Sequence, residues 1–208
     1  MSNVTNRETF ETAYAGQPPW EIGRPQPAIL EVADQVRGDV LDVGCGLGEH
    51  ALLFAKRGLK VTGIDFHAAP IERAQRQAAE RGLAVTFLMH DALELSEFPE
   101  QFDTVVDSGL FHVFDDEERK HYVAGLGSVT RPGGKLILLC FSNDEPGEVG
   151  PRRVSQRELT DAFVLGWAVE SIEASRFQVA DKLPPGVEFS PGGAQAWLAI
   201  LQRQSIDS

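Results

Sequence analysis

The sequence of 208 residues is 42% hydrophobic and 24% charged, and a chain of this length buries roughly 70% of its unfolded surface, which excludes collagen-like, coiled-coil and disordered classes. Its formal net charge is −12, and residues 82–118 hold ten acids without a single Lys or Arg, a distribution that argues against nucleic acid as a partner. Cys45 and Cys140 sit inside apolar runs with no disulfide or zinc spacing, and a polar N-terminus without a bilayer-length apolar stretch predicts a soluble, cytoplasmic chain with no membrane partner.

Short β-like runs alternate with helical patterns along the chain, and no internal repeat is visible. Pro27 falls in the first turn of a helix whose Ile29, Ala33 and Val36 share one face and which closes at Gly38. Asp39–Val43 is predicted as the first strand, followed by a glycine-rich turn and a helix over Glu49–Arg57 that stops at Gly58. Lys60–Asp65 reads as the second strand, and Pro70 opens a helix with Ile71, Ala74 and Ala78 on one stripe. Ala84–Met89 and Phe102–Asp107 are the third and fourth strands.

Asp115 and Glu118 have the spacing of a capping box, and Arg131–Gly134 reads as a turn before the fifth strand, Lys135–Phe141. Ser142–Arg153 is loop-like. Ser155 and Glu158 form a second capping box that opens a helix toward Leu165. Ala168–Phe177 and Ala196–Gln202 then read as two strands joined by a Pro/Gly-rich connection. This order predicts an α/β sheet, mostly parallel and covered by helices, whose last strands make a long hairpin.

The chemistry is concentrated in Val40–Gly48. Glycines at 44, 46 and 48 let the backbone approach a ligand at the carboxyl end of the first strand, where open α/β sheets bind their ligands. The spacing is G-x-G-x-G, one residue short of the dinucleotide fingerprint, and Asp42 just ahead of it suits a cationic ammonium better than a phosphate. A nucleotide-dependent oxidoreductase is disfavoured on that spacing.

Asp42–Gly48, Gly63-Ile-Asp65 and His90-Asp91-Ala92 together resemble motifs I, II and III of class I S-adenosylmethionine-dependent methyltransferases, over roughly residues 25–142. The resemblance implies a Rossmann-like seven-stranded sheet with helices on both faces and a C-terminal antiparallel hairpin, and S-adenosylmethionine as methyl donor. Carried over by position, Asp42 and the backbone of Gly44, Cys45, Gly46 and Gly48 would hold the methionine end. Asp65 would accept both ribose hydroxyl protons, a bidentate match that a carboxylate supplies. Phe66 would lie against the adenine, and Asp91 and Ala92 would meet its amino edge.

The acceptor side is read from the loops after the fourth and fifth strands. Asp107-Ser-Gly-Leu-Phe-His112 lacks the signature of amino-methylating DNA enzymes and the paired glutamates of protein arginine methyltransferases, which leaves a small-molecule acceptor. His112, whose ordinary pKa is near neutrality, is the candidate to remove the acceptor's proton, with Asp107 as a second catalytic candidate. Asp107 with Asn143 and Asp144 only loosely resembles a catechol-type magnesium site, so no metal ligand is assigned.

The segment Tyr14–Pro27 resembles that of thiol, thiopurine, halide and tellurite methyltransferase-like enzymes. Tyr14 and Trp20 could wall an apolar acceptor, and Arg153 could face an anionic one. The expected organisation is a cap over residues 1–24 and a methyltransferase domain over 25–208, acting as monomer or homodimer. The expected reaction is methyl transfer to sulfur first, then oxygen or nitrogen. The rival readings are a non-catalytic S-adenosylmethionine-binding regulator and a metal-dependent catechol-type O-methyltransferase.

Overall fold

The computed structural model describes residues 18–183 and 186–205. Seven strands form one sheet: β1 (Asp39–Val43), β2 (Lys60–Asp65), β3 (Thr86–Met89), β4 (Phe102–Ser108), β5 (Thr130–Phe141), β6 (Trp167–Phe177) and β7 (Ala194–Arg203). Their order is β3-β2-β1-β4-β5-β7-β6, with β7 antiparallel to both neighbours and every other pairing parallel. Among the described residues five α-helices accompany them: α1 (Pro27–Glu31), α2 (Glu49–Lys56), α3 (Ala68–Glu80), α4 (Asp116–Val129) and α5 (Gln156–Ala162). The seven-stranded, mostly parallel sheet with a closing antiparallel pair is the fold class expected.

Each sheet face buries its own cluster. Val40, Val106, Leu139, Phe141 and Phe177 pack under Ile29 of α1, Leu52 and Phe54 of α2 and Ala74 of α3. Leu41, Val105, Leu138 and Cys140 pack on the other face under Tyr122 and Leu126 of α4 and Leu159 of α5. The nearly unbroken apolar runs of β1, β4 and β5 follow from this two-sided burial. Both capping boxes form: Asp115 accepts from the Glu118 N–H and Ser155 from the Glu158 N–H, each answered by the glutamate.

Two local expectations are corrected. The helix opening at Pro27 stops at Glu31, and Ala33–Gln35 continues as a separate 3₁₀ turn, although Ile29, Ala33 and Val36 are all buried as the stripe required. Arg131–Gly134 is not a turn ahead of β5 but a bulge within it. Thr130 already pairs with Phe102, and pairing resumes at Thr104 with Lys135.

The segment 18–26 ahead of α1 is stitched to the connection that follows β6. The Ala180 N–H donates to the Pro19 carbonyl at 2.8 Å. The Gln26 side chain accepts the Gln178 N–H at 2.8 Å and donates to the Gln178 carbonyl at 2.9 Å. Among the described residues no helix is long and apolar enough to cross a membrane.

Candidate active site

β1 runs into the glycine turn, which must reverse sharply to start α2. Gly44, Gly46 and Gly48 have φ of +67°, +52° and +80°, a region glycine occupies without strain. At Gly48 the constraint is also spatial, because a Cβ would stand 2.6 Å from Phe87 Cζ. The Cys45 N–H donates to the Ile64 carbonyl at 2.8 Å and pins the turn to β2. The Cys45 thiol is buried, and burial pushes its pKa well above the ordinary thiol value.

Carboxylates gather around this turn. Asp42 is buried, and its Oδ2 accepts the Ala51 N–H at 3.0 Å at the start of α2. Burial pushes its carboxyl up to about 7, with the charges of Asp65 and Asp107 acting in the same sense. Asp65, at the end of β2, accepts the Gly46 N–H on one oxygen and the His67 N–H on the other, each at 3.0 Å, and burial raises its pKa. The third acid is Glu21, on the segment ahead of α1, which accepts the Leu47 N–H. Burial holds it near 7, with Arg73, Glu49 and Asp65 as its charged neighbours. No motif offset marked Glu21 in the sequence; only the fold brings it to the turn.

The residues expected at the adenine lie at the ends of β2 and β3. Phe66 is 37% exposed, its ring edge-on to His67 with centroids 5.1 Å apart. The His90 N–H donates to the Asp65 carbonyl at 3.0 Å, holding β3 against β2. Asp91 then caps the 3₁₀ turn Ala92–Glu97 by accepting the Leu93 N–H at 3.0 Å, with Ala92 buried at its start. Asp42, the glycine turn, Asp65, Phe66, Asp91 and Ala92 thus share the carboxyl edge of three adjacent strands.

After β4 the picture differs from the expectation. Asp107 is fully buried and turned toward α4, accepting the Leu110 N–H at 2.8 Å, the Phe111 N–H at 3.0 Å and the Tyr122 hydroxyl at 2.8 Å. Burial raises its pKa to about 6. His112 Nδ1 accepts the Phe141 N–H at 2.9 Å, and the ring also hydrogen-bonds the Gly109 backbone. Burial pushes its pKa down to about 3, helped by the charges of Arg119 and Arg153. His112 is therefore a neutral latch between the loop after β4 and the end of β5, and its lone pair is already taken. The base expected at this position has no free lone pair to act with.

Above that latch lies an aromatic cluster. Phe141 meets Phe177 at 5.3 Å and Phe189 at 5.4 Å, both edge-on, and His112 stands edge-on to Phe141 at 5.0 Å. Trp20 packs against the same side of the sheet. Arg153 lies 5.3 Å over the Phe141 ring, but its N–H groups reach the carbonyls of Glu145, Pro151 and Val149 at 3.2, 2.7 and 3.0 Å. It organises its own loop rather than facing an anion. Asn143 donates weakly to Asp144 at 3.4 Å, while the Asp107 oxygens are engaged by Leu110, Phe111 and Tyr122. Tyr14 lies outside the described residues.

A glycine turn with acids around it, and a part-exposed aromatic ring beside a capped turn, is an arrangement that can take a cationic, adenosine-bearing ligand. Comparisons with known proteins agree. Residues 40–134 match the family described as a methyltransferase domain. The chain is 37% identical to a 2-heptyl-1-hydroxyquinolin-4(1H)-one methyltransferase of Mycobacteroides abscessus, an alignment covering 96% of this chain and 91% of that one. It is 35% identical, with a TM-score of 0.84, to a structure solved for the conversion of a disulfide bond into a thioacetal group during echinomycin biosynthesis, covering 97% and 94% of the two chains. The Burkholderia thailandensis 1,6-didemethyltoxoflavin-N1-methyltransferase, solved with S-adenosylhomocysteine, shares the fold at a TM-score of 0.71 and 20% identity, covering 96% of this chain and 87% of that one. This chain belongs to the class I S-adenosylmethionine-dependent methyltransferases.

Proposed function

We propose that the chain methylates a heteroatom of a small, planar, apolar molecule that reaches the site already as an anion, with sulfur the first choice and oxygen or nitrogen next. The observation that carries this reading is the state of His112 and Asp107. Both lie where a base would be needed, and both spend their acceptor atoms on neighbouring N–H and O–H groups. A thiolate or an acidic hydroxyl needs no enzyme base, because a useful fraction is ionised at neutral pH. The edge-on Phe141, Phe177 and Phe189 rings suit an aromatic face. The relative named for a hydroxyquinolone and the structure solved for disulfide-to-thioacetal conversion support oxygen and sulfur in turn.

S-adenosylmethionine supplies an electrophilic methyl on a sulfonium. Toward it, Asp42 and the Gly44, Cys45, Gly46 and Gly48 backbone hold the methionine end, and Asp65 takes the ribose hydroxyls. Phe66 covers one adenine face, and Asp91 with Ala92 meets its edge. Trp20, in the described part of the expected 1–24 cap, would help to wall the acceptor against water; Tyr14, given the same role, lies outside the described residues. The described part of that segment is tied to the chain that follows β6, which supports a cap on that side of the sheet.

A panel of aryl thiols, acidic N-hydroxy heteroaromatics, ordinary phenols and amines with labelled methyl donor tests this reading. Turnover should follow each acceptor's own ionised fraction. Equal rates on phenols of pKa about 10, with an enzyme base visible in the pH profile, would overturn it.

A further inference from the structure

Ser108 is the last residue of β4, and its hydroxyl is buried without a hydrogen-bond partner among the described residues. Buried hydroxyls nearly always find a partner, so this one at the carboxyl end of a central strand needs an explanation. Strand alternation fixes its direction. Asp107 turns to Tyr122 on one face, while Val106 packs with Phe141 and Phe177 on the other, so Ser108 shares the face of Val106.

The register names its neighbours. Asp107 is level with Val43 and Ser108 is level with Leu139, which places Gly44 on one side and the start of the Leu139–Phe141 stretch on the other. The next residue, Gly109, lies under Phe177, where a Cβ would stand 3.0 Å from the ring. The hydroxyl therefore sits on the border between the glycine turn and the phenylalanine cluster. That border is also where the strand order reverses, between β1 and β4.

We propose that the Ser108 hydroxyl donates a hydrogen bond to the anionic heteroatom of the methyl acceptor and holds it ionised beside the methyl donor. The inference rests on the acceptor reading above and adds the group that replaces a base. A donor beside an anion lowers the bound acceptor's pKa, so the acceptor that arrives ionised stays ionised. In the transfer, the acceptor's lone pair forms the bond to the methyl carbon, the sulfonium bonding pair returns to sulfur, and no proton moves.

The test is a spectrophotometric titration of 2-heptyl-1-hydroxyquinolin-4(1H)-one, and separately of an aryl thiol, bound to the full chain in the presence of S-adenosylhomocysteine. In Ser108→Ala the pKa of the bound acceptor should rise by about one unit, and Ser108→Thr should restore it. Affinity for S-adenosylhomocysteine, read by calorimetry, should stay within about twofold. If Ser108→Ala does not fold, Ser108→Cys, a weaker donor, makes the same comparison. An unchanged bound pKa in the variant overturns the assignment. So does a tenfold loss of S-adenosylhomocysteine affinity with the acceptor's pKa unmoved, which would give the hydroxyl to the methyl donor instead. Failure of both probes to bind the unaltered chain overturns the acceptor reading itself, and this assignment with it.

Discussion

Affinity for the methyl donor's product should climb with pH below neutrality, because the acids at the glycine turn must ionise to meet its ammonium. Asp42 and Glu21 are both held near 7 by burial. A carboxyl of that pKa is only about one-tenth ionised at pH 6. If one acid must be charged in the complex, S-adenosylhomocysteine should bind about tenfold more weakly at pH 6 than its limiting affinity, and up to about a hundredfold if both must. The sign follows from linkage: the unliganded site holds a proton that a bound cation expels, so affinity rises with pH and binding releases protons. For the same reason the unliganded chain should lose stability as pH rises from about 4 to 7, by up to about 4 kcal/mol from Asp42 alone. Calorimetry from pH 5.5 to 7.5, in two buffers of different ionisation enthalpy, reads both affinity and proton release. Asp42→Asn keeps an acceptor for the Ala51 N–H and should flatten the Asp42 part of the slope, and Glu21→Gln the remainder. An affinity independent of pH, with no buffer-dependent heat, would refute the reasoning.

Gly48→Ala forces a side chain into a left-handed backbone and against the Phe87 ring, and should cost about 1–3 kcal/mol in chemical denaturation, with S-adenosylhomocysteine affinity falling as well. His112→Ala removes the latch to Phe141 and should destabilise by about 1–3 kcal/mol while leaving the shape of the pH–rate profile unchanged; loss of an ionisation near neutrality would restore the base. Gln26→Ala breaks both bonds to Gln178, and should lower acceptor turnover more than product affinity in parallel kinetic and calorimetric runs. Turnover should survive EDTA, since the Asp107 oxygens already hold Leu110, Phe111 and Tyr122; recovery that depends on magnesium would revive the catechol-type reading.

Local rules predicted the nucleotide half well. The bounds of β1 and β2 coincide with those read from the sequence, because apolar runs punctuated by glycines leave little freedom there. Asp115 with Glu118 and Ser155 with Glu158 were equally legible, since a capping box is complete within four residues. The acceptor half was not. Phe141, Phe177 and Phe189 meet only through the antiparallel return of β7, and Glu21 reaches Leu47 only because Gln26 and Pro19 anchor its segment elsewhere. The hydrogen bonding of His112 was out of reach for a related reason. A histidine's type and offset suggest a base, but its lone pair is spent on a partner 29 residues away in the chain. The bulge at 131–134 shows the same limit, for a Pro-Gly-Gly sequence signals a reversal without saying whether a strand resumes beyond it.

The place of β7 sets an order of assembly. β7 comes last of the strands in the chain but lies between β5 and β6, bonded to both over most of its length. During synthesis, β5 therefore stands as an unprotected margin, with Leu136–Phe141 ready to pair with any extended chain, until residues 194–203 leave the ribosome. The central five strands can gather early, yet the sheet stays open until its final strand inserts. Premature termination between Phe141 and Ala194 would release a sticky, template-like fragment instead of a smaller working domain.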